Sequence, residues 1–169
     1  GTSESGWTFR RVMSAFLATC QAVAYAHERG VVHRDLTPNN VMVGPFGETY
    51  VLDWGLAKRV GRARPEARAD AASSVRLRAG DASPHDTQRG RVIGTPAYMP
   101  PEQAAGEVHR IDTRSDVYAL GAILYEILSG RPPYRGDSAA GILERVRAAP
   151  PQPVGRAEPA TTLGLFSLD

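Results

Sequence analysis

Cysteine is almost absent from this sequence. Cys20 is the only cysteine among the 169 residues, which excludes an internal disulfide and a metal site built from cysteines. A single free thiol suits a reducing compartment. We expect Cys20 to fill space in the hydrophobic core.

Long hydrophobic runs and a targeting segment are missing as well. The longest apolar stretch, "VYALGAILYEIL" at residues 117–128, is too short to span a bilayer and contains Glu126. No charged start is followed by an apolar run and a small-residue cleavage site, so no signal peptide is predicted. We expect a cytoplasmic chain without a membrane segment. Because the sequence begins with Gly1, we also expect a longer parent chain, which could carry a membrane anchor.

The sequence lacks a large excess of either charge. Its formal net charge is +2, and the basic excess is local, since residues 58–91 hold nine Arg or Lys against four Asp or Glu. These Arg residues are not interleaved with aromatic side chains, so we expect no nucleic-acid partner. With 42% hydrophobic and 22% charged residues, the chain fits one globular domain or most of one.

Hydrophobic periodicity predicts three helices. Apolar residues recur at three- and four-residue steps over residues 7–29, and Gly30 should end this helix. A second helix over residues 115–128 is apolar around most of its circumference, which predicts burial. A short third helix is expected over residues 138–148. The aliphatic residues of the second helix that we expect in the core are Val117, Leu120, Ile123, Leu124 and Leu128.

Two stretches have no such period. Residues 58–91 are rich in Arg, Ala, Ser, Gly and Asp, which predicts a long mobile loop. The tail over residues 151–169 has no pattern that assigns it to an element.

Residues 41–52 predict a β-hairpin, with "VMV" and "TYVL" on either side of "GPFGE". If residues 45–48 form the loop, antiparallel register places Asn40 opposite Asp53 at a separation of about 5 Å. Amide and carboxylate oxygens at that separation could share one Mg²⁺, which prefers oxygen ligands. An ordinary Asn–Asp hydrogen bond at the mouth of the hairpin is the plain alternative.

The stretch "VVHRDLTPNNVMV" places charged and amide side chains between two strand-like runs. Pro38 and the Asn pair after it form turns readily, so a surface loop is one interpretation. Pro38 also keeps Thr37 extended, and a short bent loop could return Asp35 toward the mouth of the hairpin. Three oxygen-bearing side chains would then converge there.

Four motifs follow one another along the chain: "HRDLTPNN", "DWGLAK", "GTPAYMPPEQ" and "DTRSDVYALGAILYEILSGRPPY". Together they resemble the catalytic half of a eukaryotic-type serine/threonine protein kinase, and bacterial members in particular. The resemblance covers about residues 7–150. It implies a mainly α fold with a small β-hairpin, in the form of a kinase C-terminal lobe without the smaller N-terminal lobe. Residues 1–150 would be this partial catalytic domain, with an activation segment at residues 53–102.

The resemblance implies roles for the converging side chains. Asp35 would accept or orient the proton of a Ser or Thr hydroxyl on a protein substrate. Asn40 and Asp53 would hold Mg²⁺ against the phosphates of ATP. His33 would be structural and pack beneath the loop. Thr95 would lie near Asp35 and help to admit a Ser or Thr substrate.

Regulation is implied by the same resemblance. Arg34 would pair with a phosphorylated residue of the activation segment, since a guanidinium suits a phosphate. Thr87 is the first expected phosphosite, because it lies eight residues before Thr95, and Ser83 is the second.

Two acidic residues have implied structural roles. Asp116 would bond to the backbone of the His33–Arg34 stretch, although an acidic residue is also favoured at the start of a helix. Glu102 would pair with an Arg of a later helical region, which this chain does not reach.

The sequence also departs from the family pattern. Thr37 stands where a Lys usually contacts the transferring phosphate, Trp54 replaces a Phe, and Pro101 replaces an Ala. No Gly-rich loop and no strand with its Lys precede the first helix, so we expect this chain alone to be inactive and to need the missing N-lobe of its parent. Two interpretations therefore stay open. The chain is either part of an active enzyme, or it is a kinase-like, non-catalytic binding module or an inactive truncated fragment.

Overall fold

A computed structural model of the chain describes residues 8–60 and 95–155. Within these ranges the chain is mainly helical, and its strands form two antiparallel two-stranded sheets, β1 with β4 and β2 with β3. The prediction of a mainly α chain with a small hairpin is confirmed. The elements in chain order are α1 (Phe9–Glu28), β1 (Val31–Val32), β2 (Val41–Val43), β3 (Thr49–Val51), β4 (Lys58–Arg59), α2 (Pro101–Ala104), α3 (Thr113–Ser129) and α4 (Ala139–Ala148).

The helices begin and end at residues that favour those positions. The Thr8 hydroxyl caps α1, the Asp112 carboxylate caps α3, and the Ser138 hydroxyl caps α4. Helices α1 and α3 are followed by Gly30 and Gly130 with φ of +72° and +71°, the left-handed conformation that glycine adopts without strain. None of the helices within residues 8–60 and 95–155 has the length and apolar content to cross a membrane.

Two predictions about the ends of elements were wrong. Helix α3 starts at Thr113, two residues before the predicted start, because Asp112 supplies its cap. Lys58 and Arg59 form β4 and pair with β1, so the chain is still regular where we expected the mobile loop to begin. Residues 61–91 of that predicted loop lie outside the described residues.

The core lies between α1, the hairpin, α3 and α4. On α3 the prediction was only partly right, because Val117 is 59% exposed and Leu128 is 38% exposed. The buried face follows three- and four-residue steps, and both of these side chains lie on the opposite side of the helix. The largest hydrophobic side chains buried almost completely are Val12, Val23, Val32, Leu36, Val41, Val43, Ile123, Ile127 and Ile142.

The hairpin has a register one residue away from the predicted one. Val41 pairs with Val51, and the Leu52 N–H donates to the Asn40 carbonyl at 2.8 Å. The loop contains three residues rather than four, because the Gly44 N–H bonds to the Glu48 carbonyl at 2.8 Å. Gly47, with φ of +90°, supplies the left-handed residue that such a loop requires. Asn40 therefore lies opposite Leu52 and not opposite Asp53.

Candidate active site

The loop between β1 and β2 is held from below by one carboxylate of α3. Asp116 is 1% exposed, and its two oxygens accept the backbone N–H groups of His33 and Arg34, each at 2.8 Å. The His27 Nε2 atom of α1 lies 2.7 Å from the Asp116 Oδ2 atom. Asp116 is the fourth residue of α3 and not its cap. Buried charge of this kind is stable only with such partners, so Asp116 fixes the start of the loop.

His33 joins the loop to the residues after β3. It is fully buried, and its Nε2 atom lies 2.9 Å from the Leu52 carbonyl oxygen. The Asp35 N–H points to the His33 Nδ1 atom at 3.3 Å. The two ring nitrogens therefore face opposite sides of the site, one the Leu52 carbonyl and the other the Asp35 backbone. The ring also packs on Trp54, with 4.5 Å between ring centroids, so its surroundings are those of a structural histidine.

Asp35 is half-buried at the centre of the loop. Burial raises the pKa of its carboxyl group, and the nearby charge of Asp53 raises that pKa further, while His33 and the Asn40 amide oppose the shift. A raised pKa makes the carboxylate a better proton acceptor than a solvated aspartate.

Asn40 and Asp53 both reach the surroundings of Asp35 despite the changed register. The Asn40 amide N–H donates to the Asp35 backbone carbonyl at 2.7 Å, which leaves the amide oxygen as its available ligand atom. Asp53 has a left-handed backbone with φ of +57°, and one of its carboxylate oxygens accepts the Gly55 N–H at 3.3 Å. Its other oxygen is left for a ligand.

This pair of oxygen donors fits Mg²⁺. Among residues 8–60 and 95–155, no three His, Cys, Asp or Glu side chains form a group that could hold a metal. A cation bound beside Asp35 would have the Asn40 amide oxygen and one Asp53 carboxylate oxygen as its ligand atoms, since neither is used in the hydrogen bonds described above. Mg²⁺ commonly binds one or two protein oxygens and completes its shell with phosphates and water.

Arg34 and Thr37 occupy the interior side of the loop. Arg34 has a positive φ of +75°, and its backbone carbonyl accepts the Gln103 amide at 3.0 Å. The Thr37 side chain is buried, with 5% of its surface exposed. Both residues line a cavity of about 10 Å³ beneath the loop.

The segment leading into α2 is anchored on α3. The Tyr98 hydroxyl donates to the Glu126 carboxylate, and burial raises the pKa of both groups. The Glu102 carboxylate accepts the Ser115 hydroxyl at 2.6 Å. The roles of Tyr98, Ser115 and Gln103 were not predicted from the sequence, because no spacing along the chain signals these contacts.

The remaining predicted site residues are described only in part or not at all. Thr95 begins a 3₁₀ turn over Thr95–Tyr98, and its role in admitting substrate stays a prediction. Thr87 and Ser83 lie outside the described residues. The pairing of Arg34 with a phosphate on either residue therefore stays a prediction.

Comparison with known proteins gives consistent matches. A model of the protein kinase domain matches residues 3–151. The serine/threonine-protein kinase PknB of Mycobacterium tuberculosis strain H37Rv is 37% identical over 157 residues, which cover 92% of this chain and 22% of that protein. PknD of Protochlamydia amoebophila, also a serine/threonine-protein kinase, is 42% identical over 130 residues, covering 77% of this chain and 13% of that protein. The chain thus spans about a fifth or less of the length of these curated relatives.

Proposed function

This chain belongs to the protein kinase family, among the bacterial serine/threonine kinases of eukaryotic type, and we propose that it transfers phosphoryl groups from ATP to Ser or Thr hydroxyls of proteins. The observation that carries the proposal is the grouping of Asp35, Asn40 and Asp53. The Asn40 amide bonds to Asp35, and the Asp53 charge acts on the Asp35 carboxyl.

The proposal assigns one role to each of these side chains. Asp35 accepts the hydrogen bond of the substrate hydroxyl and takes its proton as the oxygen–phosphorus bond forms and ADP leaves. Asn40 and Asp53 hold Mg²⁺, which neutralises developing charge on the phosphates. The surrounding bonds from Asp116 and His33 keep the loop in place, so that catalysis depends on positioning more than on the basicity of Asp35.

The parent chain holds both lobes of the catalytic domain. Residues 1–150 form the C-terminal lobe of the catalytic domain, with the activation segment at residues 53–102, and an N-terminal lobe elsewhere in the parent covers ATP. The catalytic lobe acts in the cytoplasm, whether or not the parent chain carries a membrane anchor. Phosphorylation of Thr87, or of Ser83, supplies a phosphate partner for Arg34.

A second function is favoured by one residue. Thr37 is buried, and its hydroxyl cannot supply the positive charge that the family usually places at this position beside the transferring phosphate. Because one lost electrostatic contact can lower a rate by about a hundredfold or more, a kinase-like, non-catalytic binding module is the alternative.

The test is phosphoryl transfer by a fusion protein in which an N-terminal kinase lobe precedes residue 8. We expect transfer from radiolabelled ATP that requires Mg²⁺ and falls at least about a hundredfold in Asp35→Asn and in Asp53→Asn. Asp137→Asn is the matched control, because Asp137 is exposed on the loop before α4. Unchanged transfer in either site variant would contradict the assignment. A folded fusion protein that binds protein partners without transferring phosphate would favour the binding module.

A further inference from the structure

Arg34 holds a backbone conformation that needs support. Its φ of +75° lies in the left-handed region, which costs a non-glycine residue about 1–2 kcal/mol. Such residues persist where the surrounding structure fixes them, and they cluster at functional sites. Arg34 directly precedes Asp35, so whatever fixes its backbone also decides where the Asp35 side chain points.

Four contacts fix this backbone. The Arg34 N–H donates to the Asp116 carboxylate at 2.8 Å, and the Arg34 carbonyl accepts the Gln103 amide at 3.0 Å. The N–H of the next residue, Asp35, points to the His33 ring at 3.3 Å, and the Asp35 carbonyl accepts the Asn40 amide at 2.7 Å. Three of the four partner side chains belong to residues already placed in the site, and Gln103 is the fourth.

The contact from Gln103 acts on a particular peptide plane. The Arg34 carbonyl and the Asp35 N–H belong to the same planar peptide group. Gln103 holds the oxygen of that plane and His33 faces its N–H. Rotation of the plane would turn the Asp35 Cα–Cβ bond away from its present direction.

We infer that Gln103 is a positioning residue that holds the Arg34–Asp35 peptide plane and so aims the Asp35 carboxylate at its substrate. This inference rests on the proposed phosphoryl transfer for its functional part. Its structural part, the control of the plane by one amide donor, is independent of that function.

The same contact connects Asp35 to the segment before α2. Gln103 lies in α2, which begins at Pro101 directly after the turn that contains Tyr98. Tyr98 is bonded to Glu126, and Glu102 is bonded to Ser115, so this segment and α2 are both tied to α3. Displacement of α2 from α3 would withdraw the Gln103 amide from the Arg34 carbonyl. The bond therefore makes the position of Asp35 depend on the position of α2 against α3.

The space around Gln103 favours the orientation in which its amide N–H faces the Arg34 carbonyl. The cavity that it shares with Arg34 and Thr37 has a volume of about 10 Å³, which is room for about one water molecule. The Gln103 amide oxygen is buried and has no hydrogen-bond partner among the described residues. If the amide were reversed, that oxygen would face the Arg34 carbonyl, so the carbonyl selects the donor orientation.

The structural part is tested by amide hydrogen exchange in the full chain. Gln103→Met keeps the length of the side chain but removes its donor, and Gln21→Met is the matched control at an exposed position of α1. We expect the Asp35 amide to exchange about fivefold faster in Gln103→Met, the factor that corresponds to one ordinary hydrogen bond, with no change in Gln21→Met. Unchanged exchange at Asp35, or equal acceleration throughout the core, would overturn the inference.

The functional part is tested in the fusion protein with Gln103→Met. Met keeps the length of the side chain, has no N–H to donate to the Arg34 carbonyl, and places no charge in the buried space around it. We expect kcat to fall about tenfold, with the KM for ATP and the melting temperature both nearly unchanged, a separation that a loss of folded protein would not produce. Unchanged kcat, or a KM that rises in parallel, would overturn the functional part. If the unsubstituted fusion protein transfers no phosphate, the proposed function fails, while the exchange result still decides the structural part.

Discussion

At the scale of single residues, the ionised Asp35 carboxylate that a proton acceptor requires lowers the stability of the fold. Burial and the charge of Asp53 both favour the protonated carboxyl, and the opposing effects of His33 and Asn40 do not cancel them, so the pKa remains raised. A carboxylate that is ionised at neutral pH in these surroundings costs folding free energy. Sites that hold reactive groups often carry such a cost.

Removing the charge of the Asp35 carboxylate should therefore stabilise the fold, and the stabilisation should depend on pH. Because the pKa of Asp35 is raised in the folded chain, the fold loses stability as pH rises from the ordinary carboxyl pKa through the folded pKa, and the loss persists above it. Asp35→Asn removes this loss, so its melting temperature relative to the unsubstituted chain should be higher at pH 7 than at pH 4. Thermal unfolding at the two pH values measures this difference, with Asp137→Asn as control. A relative melting temperature that falls toward pH 7 would contradict the prediction.

Thr37 leads to a prediction about rate. Its side chain is buried and lines the same cavity as Asp35, and under the proposed function a Lys at this position would bring its ammonium group to the transferring phosphate. In the fusion protein, Thr37→Lys should raise kcat about tenfold or more if a missing charge limits phosphoryl transfer. Thr37→Met is the control, because it adds length without charge. Equal rates for the two variants would show that charge at this position does not matter.

At the scale of elements, the sequence predicted helices better than strand register. Helix α1 follows from apolar spacing, and Gly30 marks its end, because both signals are local. The hairpin was also predicted, but its register depends on whether the loop holds three or four residues. "GPFGE" permits both, and only the left-handed φ of Gly47 selects three. A one-residue error is sufficient to misplace Asn40 relative to Asp53.

Gly47 and Gly121 should respond oppositely to the same substitution. Neither position has another atom within 4 Å of an added Cβ, so crowding does not contribute. Gly47→Ala should lower the free energy of unfolding by about 1 kcal/mol, because Ala is strained at positive φ. Gly121→Ala, inside α3, should raise it by about 0.5–1 kcal/mol, because Ala is the better helix former. Urea unfolding measures both, and a stabilising Gly47→Ala would mean that the three-residue loop is wrong.

At the scale of the whole molecule, the site is assembled where distant parts of the chain meet. Asp116 of α3 contacts His27 at a separation of 89 residues and His33 at a separation of 83 residues. The resemblance to a kinase family anticipated a bond from Asp116 to the His33–Arg34 backbone, but periodicity and spacing could not. The contact with His27 has no local signal, because it requires α1 and α3 to be packed already.

Asp116 should therefore contribute more to global stability than any cap on the same helix. In Asp116→Asn one acceptor oxygen and the negative charge are lost, and the N–H groups of His33 and Arg34 cannot both remain satisfied inside the core. We expect the free energy of unfolding to fall by about 2–4 kcal/mol in urea titrations. Asp112→Asn is the matched control on α3, since Asp112 is bonded to Arg114 near the surface and Asn also caps helices well, so its effect should stay within about 0.5 kcal/mol. Equal losses for the two variants would mean that the Asp116 contacts do not hold α1, the loop and α3 together.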